Sequence, residues 1–181
     1  MISPEMRQLV RGRAGFACEY CGVTDVNTGA ELTIDHYRPQ SQHGTDNAEN
    51  LVNCCYRCNQ FKSAYWAANT SAIPLWNPRT EPAAEHFIPL RDGRLAPLTE
   101  TGRQTIQTLR LNRPLLVTNR LRRRKTQRRV FLLQRNCEII EHLTQIQRQK
   151  ALTLGERLYW TQRQRAILQE LLELEGDDPN E

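Results

Sequence analysis

Two short stretches, "CEYCG" at residues 18–22 and "CCYRCNQFK" at residues 54–62, decide how this chain folds. In each stretch two cysteines are separated by two residues, a spacing at which two thiolates on a tight turn bind one side of a tetrahedral metal ion. Two such turns complete a closed site, so we predict a structural zinc ion held by Cys18, Cys21, Cys55 and Cys58. Cys54 is the alternative to Cys55, although it would give the second pair three intervening residues.

The composition indicates a folded protein of a reducing compartment. The chain has 181 residues, of which 39% are hydrophobic, and it contains no apolar run near the length that a membrane span needs. The N-terminal stretch "MISPEMRQLVRGRAG" lacks the apolar segment of a secretory signal. We therefore expect a cytoplasmic protein that does not bind membranes, in which close cysteine pairs are more often metal ligands or redox groups than disulfides.

A predicted strand and a predicted helix lie beside the cysteine pairs. The stretch "ELTIDH", residues 31–36, alternates apolar and polar side chains, which favours a strand that ends at Asp35 and His36. The polar residues 37–50 indicate a loop, and we expect a helix to begin near Cys58. A zinc ion would therefore hold the start of this helix beside the strand.

The remainder of the chain changes from turn-rich to helical. Asp92–Gly93 marks the turn of a predicted β-hairpin, and "TETGRQTIQTLRLN" at residues 99–112 indicates a helix. From about Pro114 to Leu174 the chain is rich in Leu, Arg and Gln, which favours further helix. The stretch Thr153–Glu156 matches a capping box, so we predict two helices that are separated near it.

Residues 16–66 resemble the HNH endonucleases, the ββα-metal nuclease family. The family pattern is CxxC, an apolar strand ending in Asp-His, a polar loop, Glu-Asn-Leu, and CxxC-Asn-x-x-Lys, and every position is filled here in that order. The additional Cys54 and the "QHG" that stands where a Gly-Gly pair is common depart from it. The resemblance implies a metal-dependent endonuclease that hydrolyses phosphodiester bonds in nucleic acid. The sequence leaves DNA and RNA both open as substrates, and of the two we favour DNA.

The chemistry of the residues in this pattern agrees with the resemblance. His36 suits a general base because its side chain titrates near neutrality. Asp35 and Asn59 offer the oxygen ligands that a catalytic Mg²⁺ or Mn²⁺ accepts. By resemblance Asn50 orients the loop of His36 through hydrogen bonds, and Lys62, one helical turn after Asn59, is expected to contact a phosphate. The predicted catalytic set is His36, Asn50, Asp35 and Asn59.

Basic side chains are concentrated in one segment. Residues 101–150 carry 13 basic and 2 acidic side chains, a local balance of +11 within a net charge of +5. Seven of the ten residues 120–129 are basic, and a solvated charged helix is one interpretation of this run. Beside a nuclease pattern we instead expect contacts to the phosphate backbone of nucleic acid. The predicted contact residues are Arg120, Arg122, Arg123, Arg124, Lys125, Arg128 and Arg129.

The predicted fold class is α+β. It combines a small ββα-metal (HNH) zinc-stapled module with a short β-hairpin insert and a C-terminal helical extension. The predicted segments are the HNH module at 1–68, a Pro-rich connector with hairpin and helix at 69–112, a basic helical extension at 113–175 that forms a helical hairpin, and an acidic tail at 176–181.

Apolar residues recur every three or four positions along both C-terminal helices. We expect these stripes to pack against each other or against another subunit, as a homodimer or larger complex, and we expect the cysteine on the first stripe to be an ordinary buried thiol. The first stripe comprises Val130, Leu133, Cys137, Ile140 and Leu143. The second comprises Trp160, Ile167, Leu168, Leu171 and Leu174.

Two other functions compete with an independent nuclease. One is a zinc-stapled nucleic-acid-binding module without catalysis, which has no need of the complete set Asp35, His36, Asn50 and Asn59. The other is a nuclease subunit of a larger complex, in which the C-terminal helices form the docking surface.

Overall fold

A computed structural model describes residues 2–69, 71–149 and 152–176 of the chain. In chain order its elements are α1 (Pro4–Arg13), α2 (Asp25–Thr28), β1 (Thr33–His36), β2 (Leu51–Cys54), α3 (Tyr56–Lys62), α4 (Ala83–His86), β3 (Phe87–Pro89), β4 (Leu95–Pro97), α5 (Glu100–Thr108), α6 (Pro114–Gln149) and α7 (Leu154–Gly176). Within these described ranges, no helix combines the length and the apolar content that a membrane crossing requires.

Strands β1 and β2 and helix α3 form a ββα unit. The two strands pair in antiparallel fashion, with Thr33 opposite Cys54 and His36 opposite Leu51. Every residue of β2 is buried, since α1 packs against it, and α3 begins directly after it and contacts β1. The predicted α+β fold class, with its ββα module and C-terminal helices, is confirmed.

The hairpin and helix that follow pack onto the ββα unit. Strands β3 and β4 pair on either side of Asp92–Gly93, as predicted. The aromatic rings join the two parts, since Trp76 makes edge contacts with both Tyr20 and Phe87 at centroid distances of 6.3 and 5.3 Å. Two compact units result, Met1–Arg120 and Leu121–Glu181, so the predicted segments 1–68 and 69–112 share the first unit.

The second unit is a helical hairpin. Arg128 of α6 pairs with Glu170 of α7 at 2.6 Å, and His142 of α6 contacts Trp160 of α7 at a ring-centroid distance of 5.0 Å. These contacts run in opposite chain order, so the helices are antiparallel. The predicted capping box opens α7, where Glu156 N donates to the Thr153 hydroxyl and Thr153 N donates to the Glu156 carboxylate. Residues 177–181 of the predicted acidic tail lie outside the described residues.

The predicted stripe of α6 does not pack against α7, and the predicted alternative, packing against another subunit, stays a prediction. Leu132 and Ile139, seven residues apart, are buried at 3% and 5% exposure, whereas Val130, Leu133 and Ile140 remain almost half exposed. The thiol of the stripe, Cys137, is exposed rather than buried. The reason is that α6 carries two apolar stripes, and the helical hairpin buries the one at residues 132 and 139. On α7 the predicted stripe is half-buried except for Leu168, which is exposed.

Candidate active site and cysteine cluster

Four of the cysteines come together at the start of α3. Cys18 and Cys21 lie on the turn before α2, Cys55 is the N-cap of α3, and Cys58 lies in its first turn. Their four sulfur atoms lie within 4.8 Å of one another, and all four side chains are buried. These are the four cysteines that the sequence spacing selected. A set of four sulfurs at this separation can surround one tetrahedral metal ion.

The protonation of these thiols is interdependent. A hydrogen bond with Cys21 is the main cause that holds the pKa of Cys18 well below its usual value. The hydrogen bond with Cys18 in turn raises the pKa of Cys21 and of Cys58 above the usual range. The pKa of Cys55 is also lowered, to about 7. Ionisation of some of the four thiols therefore opposes ionisation of the others, because like charges repel at short distance in a buried site. A cation among the four sulfurs removes this conflict, so the donor set fits a bound metal ion.

Cys54 is not one of the four clustered cysteines. It is the last residue of β2 and is completely buried, and its thiol donates to the Cys55 carbonyl at 3.5 Å. The Cys54 thiol also contacts the Cys18 thiol, but its sulfur is not among the four that all lie within 4.8 Å of one another. The alternative ligand considered from the sequence is thereby resolved in favour of Cys55.

Arg113, just before α6, contacts the cysteine cluster and was missed from the sequence. Its guanidinium lies 3.7 Å from the Cys58 sulfur and 4.0 Å from the Cys55 sulfur, and it stacks over the ring of Phe61. Burial lowers the pKa of Arg113, but the neighbouring sulfurs, Cys58 foremost, outweigh burial and raise the pKa overall. Because four thiolates around a divalent ion leave a net negative charge, this guanidinium offsets charge at the cluster.

Helix α3 lies over one face of strand β1. The Asn59 amide nitrogen is 3.3 Å from the Thr33 hydroxyl, and the Lys62 ammonium is 3.1 Å from Asp35 Oδ2. Residues 33 and 35 share a face of the strand and residues 59 and 62 are one turn apart on the helix, so the two elements run side by side. The structure therefore brings Asn59 and Asp35 to one surface between β1 and α3. Their contact through a shared metal ion stays a prediction.

The predicted phosphate contact by Lys62 is wrong, because its side chain is buried at 1% exposure. The ammonium donates to the His36 carbonyl at 2.7 Å in addition to its ion pair with Asp35. A buried charge requires such partners, and they point the lysine inward from α3 to β1. Lys62 thus organises the site instead of meeting the substrate.

The Asp35 carboxylate has the features of a cation ligand. Burial raises the pKa of Asp35, and the Lys62 charge opposes this rise only in part. Its Oδ2 is buried, and the Lys62 ammonium is its charged partner at 3.1 Å. The Asn59 amide nitrogen donates to the Thr33 hydroxyl, which leaves the amide oxygen as the atom that would bind a cation. These two oxygens fit a hard divalent ion such as Mg²⁺ or Mn²⁺.

The His36 imidazole is partly exposed and contacts the loop between the strands. Its Nε2 lies 2.7 Å from Asp46 Oδ1, and the Gln40 side chain donates to the same oxygen at 3.0 Å. The hydrogen bond with His36 is the main cause that lowers the pKa of Asp46. The sequence analysis missed this carboxylate, for which the available signal was an acidic residue in the polar loop that follows His36.

Asn50 closes that loop by hydrogen bonds to its backbone. Its Oδ1 accepts from Arg38 N at 2.8 Å, and its Nδ2 donates to the carbonyls of Arg38 and Thr45 at 3.1 and 2.8 Å. The loop is so tight that a Cβ at Gly44 would lie 1.7 Å from the Arg38 carbonyl oxygen. Asn50 therefore makes three hydrogen bonds through which it can orient the loop, the role expected of it from the resemblance.

The basic residues of the run 120–129 have different surroundings. Arg120 donates to the carbonyls of Leu111 and Gly93, at 2.6 and 3.1 Å, and is half-buried in the first unit. This corrects its predicted role as a phosphate contact, because its donors are engaged by backbone. Arg128 is exposed but pairs with Glu170. The remaining residues keep their charged side chains exposed or half-exposed: Arg122, Arg123, Arg124, Lys125 and Arg129.

Comparison with known proteins agrees with this geometry. A family model for HNH endonucleases matches residues 18–64. These residues form an HNH domain. The segment that carries the HNH domain is also 42% identical over 64 residues to a CRISPR-associated endonuclease Cas9 of Corynebacterium diphtheriae, a match that covers 33% of this chain and 6% of that protein. No solved structure gives a significant match. The resemblance inferred from the sequence is confirmed for the HNH domain.

We predict that Cys58 and Cys54 differ sharply in their tolerance of substitution. Cys58→Ser removes a sulfur from the cluster, so the variant should lose its metal ion and unfold, since metal binding and folding are coupled in such sites. Cys54→Ser should retain the metal, because its thiol lies outside the cluster. Metal analysis and circular dichroism of the purified variants measure both effects. Equal metal loss in the two variants would contradict the assignment of the cluster.

We predict that Lys62→Met destabilises the HNH domain by about 3–5 kcal/mol, since it leaves the Asp35 carboxylate buried without its charge partner. Arg57→Met, on the exposed side of α3, is the matched control and should change the free energy of unfolding by less than about 1 kcal/mol. Urea unfolding measures the free energy of unfolding of both variants. Adding Asp35→Asn to Lys62→Met should recover part of the loss; if it deepens the loss, the ion pair is not the cause.

Proposed function

We propose that this chain is a metal-dependent HNH endonuclease that hydrolyses phosphodiester bonds in nucleic acid, with DNA as its substrate. The observation that carries the proposal is the meeting of β1 and α3 in the HNH domain. There the buried Asp35 carboxylate, paired with Lys62, and the Asn59 amide meet between strand and helix, and His36 follows Asp35 directly in the chain. A purely nucleic-acid-binding module would have no use for this combination.

Two kinds of metal site support the proposal. The four cysteines would hold a structural Zn²⁺, since their buried thiolates form a closed set without an open position for substrate. Asp35 and Asn59 would hold a catalytic Mg²⁺ or Mn²⁺ through their oxygens. When bound, such an ion supplies positive charge that stabilises the charge developing on the leaving oxygen.

The side chains of the HNH domain divide the remaining work. His36 takes a proton from the attacking water as general base. Asn50 holds the loop that faces His36, through its bonds to Arg38 and Thr45. Lys62 holds the backbone of His36 and the carboxylate of Asp35 in one arrangement. Asp35 and the backbone of His36 are thus held in place before substrate binds. This favours catalysis because these residues need little rearrangement to reach the transition state.

Affinity for the phosphate backbone would come from the basic run. Residues 1–66 carry 6 basic and 7 acidic side chains and supply little attraction for a polyanion. The exposed or half-exposed charges at Arg122, Arg123, Arg124, Lys125 and Arg129 would contact phosphates, which gives affinity with little reading of base sequence.

A second candidate is a nuclease subunit of a homodimer or larger complex. The exposed stripe of Val130, Leu133, Cys137 and Ile140 on α6 favours it, since exposed apolar residues at this spacing are typical of helix–helix interfaces. We propose the cytoplasm as the location, because a reducing compartment keeps the clustered thiols available for a metal ion.

We predict that His36→Ala lowers the cleavage rate by about 10²- to 10⁴-fold, the range for removal of a general base. Fold and nucleic-acid affinity should stay close to wild type, since the imidazole is outside the core. His43→Asn, an exposed histidine in the same loop, is the control and should cleave normally. The assay uses plasmid, single-stranded DNA and RNA with Mg²⁺, Mn²⁺ or EDTA. Wild-type cleavage by His36→Ala would refute the proposed function.

We predict that changing Arg122, Arg123, Arg124 and Lys125 together to Gln weakens DNA binding at every sequence and flattens its salt dependence. Each lost phosphate contact should reduce the log–log slope against salt by about 0.9. Binding is measured in EDTA so that no cleavage occurs. Three arginines of α7 changed to Gln serve as the control and should leave the slope unchanged: Arg157, Arg163 and Arg165. An unchanged slope in the first variant would show that the basic run is a solvated surface.

A further inference from the structure

The loop between β1 and β2 presents a carboxylate to one particular nitrogen of His36. Asp46 Oδ1 is 2.7 Å from Nε2, and Gln40 donates to the same oxygen. An ionised carboxylate only accepts hydrogen bonds, so the nitrogen that faces it must carry the hydrogen. A neutral imidazole has one N–H and one lone pair. The lone pair therefore lies on Nδ1.

We infer that Asp46 is a positioning residue that fixes the tautomer and the orientation of His36, so that Nδ1 acts as the base. This inference rests on the proposed nuclease function. In the proton-transfer step an O–H bond of the attacking water breaks and a bond from that hydrogen to Nδ1 forms. The imidazole becomes an imidazolium, whose positive charge Asp46 stabilises from the opposite nitrogen. A carboxylate behind a catalytic histidine acts in this way in the serine protease triad.

The loop is built to hold this carboxylate in place. Asn50 donates a hydrogen bond to the carbonyl of Thr45, the residue directly before Asp46. It also hydrogen-bonds to both the N–H and the carbonyl of Arg38. The close approach of Gly44 to the Arg38 carbonyl leaves no room for a side chain at that position. An exposed ion pair on a flexible loop contributes little, but a fixed loop removes much of the entropy cost of holding the pair. Asp46 can therefore act although it is 39% exposed.

The other groups around His36 do not perform this role. Lys62 donates to the backbone carbonyl of His36 and not to its ring. Gln40 contacts the carboxylate and supports its orientation. Asp46 is therefore the residue through which the loop acts on the imidazole.

The first readout needs no cleavage. Long-range ¹H–¹⁵N NMR of the zinc-loaded protein, at about pH 8 where a free imidazole is neutral, reports which ring nitrogen carries hydrogen. The His36 signals are assigned by their absence in His36→Ala. We expect the Nε2–H tautomer in the wild-type protein and a mixture of tautomers in Asp46→Ala. A single unchanged tautomer in Asp46→Ala would overturn the inference.

The second readout is single-turnover cleavage at saturating DNA. Asp46→Ala should lower the rate about 10- to 100-fold, the usual effect of removing a group that orients a catalytic residue, while the dissociation constant for DNA stays unchanged. Asp46→Glu should recover part of the rate because it restores an acceptor. Asn47→Ala, the adjacent exposed loop residue, is the matched control and should cleave at the wild-type rate.

The two readouts separate this inference from the proposed function. If Asp46→Ala shifts the tautomer of His36 but the wild-type protein cleaves no nucleic acid, the positioning role is supported and the proposed nuclease function is refuted. A slower Asp46→Ala that keeps the wild-type tautomer, or that loses DNA affinity and rate together, would overturn the positioning role. Recovery by Asp46→Glu in both readouts would establish that the carboxylate, and not the loop backbone, orients His36.

Discussion

The whole site depends on the close approach of four buried cysteine sulfurs. Cys18, Cys21, Cys55 and Cys58 bring their sulfurs within 4.8 Å of one another, where several negative charges are stable only around a cation. A metal ion bound there would join the turn before α2 to the first turn of α3. Because Asn59 follows Cys58 directly, fixing the cluster also fixes the residue that faces β1. Arg113 extends the same constraint to the later part of the chain, since its guanidinium reaches the cluster from the residue before α6.

The second constraint is the burial of Lys62. An ammonium at 1% exposure is unfavourable unless it is paired, and its partners are Asp35 and the His36 carbonyl, both on β1. The cysteine cluster fixes where α3 begins, and Lys62 fixes the end of α3 against the end of the strand. With both ends of α3 held, the surface between helix and strand has little freedom. This accounts for the fixed positions of the Asp35 carboxylate and the Asn59 amide in so small a domain.

Local signals in the sequence predicted the local structure. The CxxC spacings, the alternation that ends at His36, the Asp92–Gly93 turn and the Thr153–Glu156 capping box each depend on a few neighbouring residues, and each corresponds to an element of the structure. The predictions that failed concern side chains whose positions are set by residues distant in the sequence. The inward direction of Lys62 is set by Asp35, far upstream, and the engagement of Arg120 by carbonyls of another segment. The exposure of Cys137 follows from the choice between two apolar stripes on α6, which only the packing of α7 decides.

In the proposed nuclease, catalysis and affinity for nucleic acid would rest on different residues. The HNH domain has nearly balanced charges, and its strongest electrostatic contacts are internal, as the Lys62–Asp35 and His36–Asp46 pairs show. The excess positive charge lies in residues 101–150, beyond the HNH domain. Even in this segment one basic residue, Arg120, donates a hydrogen bond to a backbone carbonyl and stabilises the fold. A nuclease built in this way gains attraction for phosphates without placing excess positive charge next to Asp35. That separation matters because a cluster of fixed cations beside the Asp35 carboxylate would compete with the divalent ion for the same oxygens. Keeping one buried lysine there, and the other cations elsewhere, reconciles a polyanionic substrate with a metal-binding carboxylate.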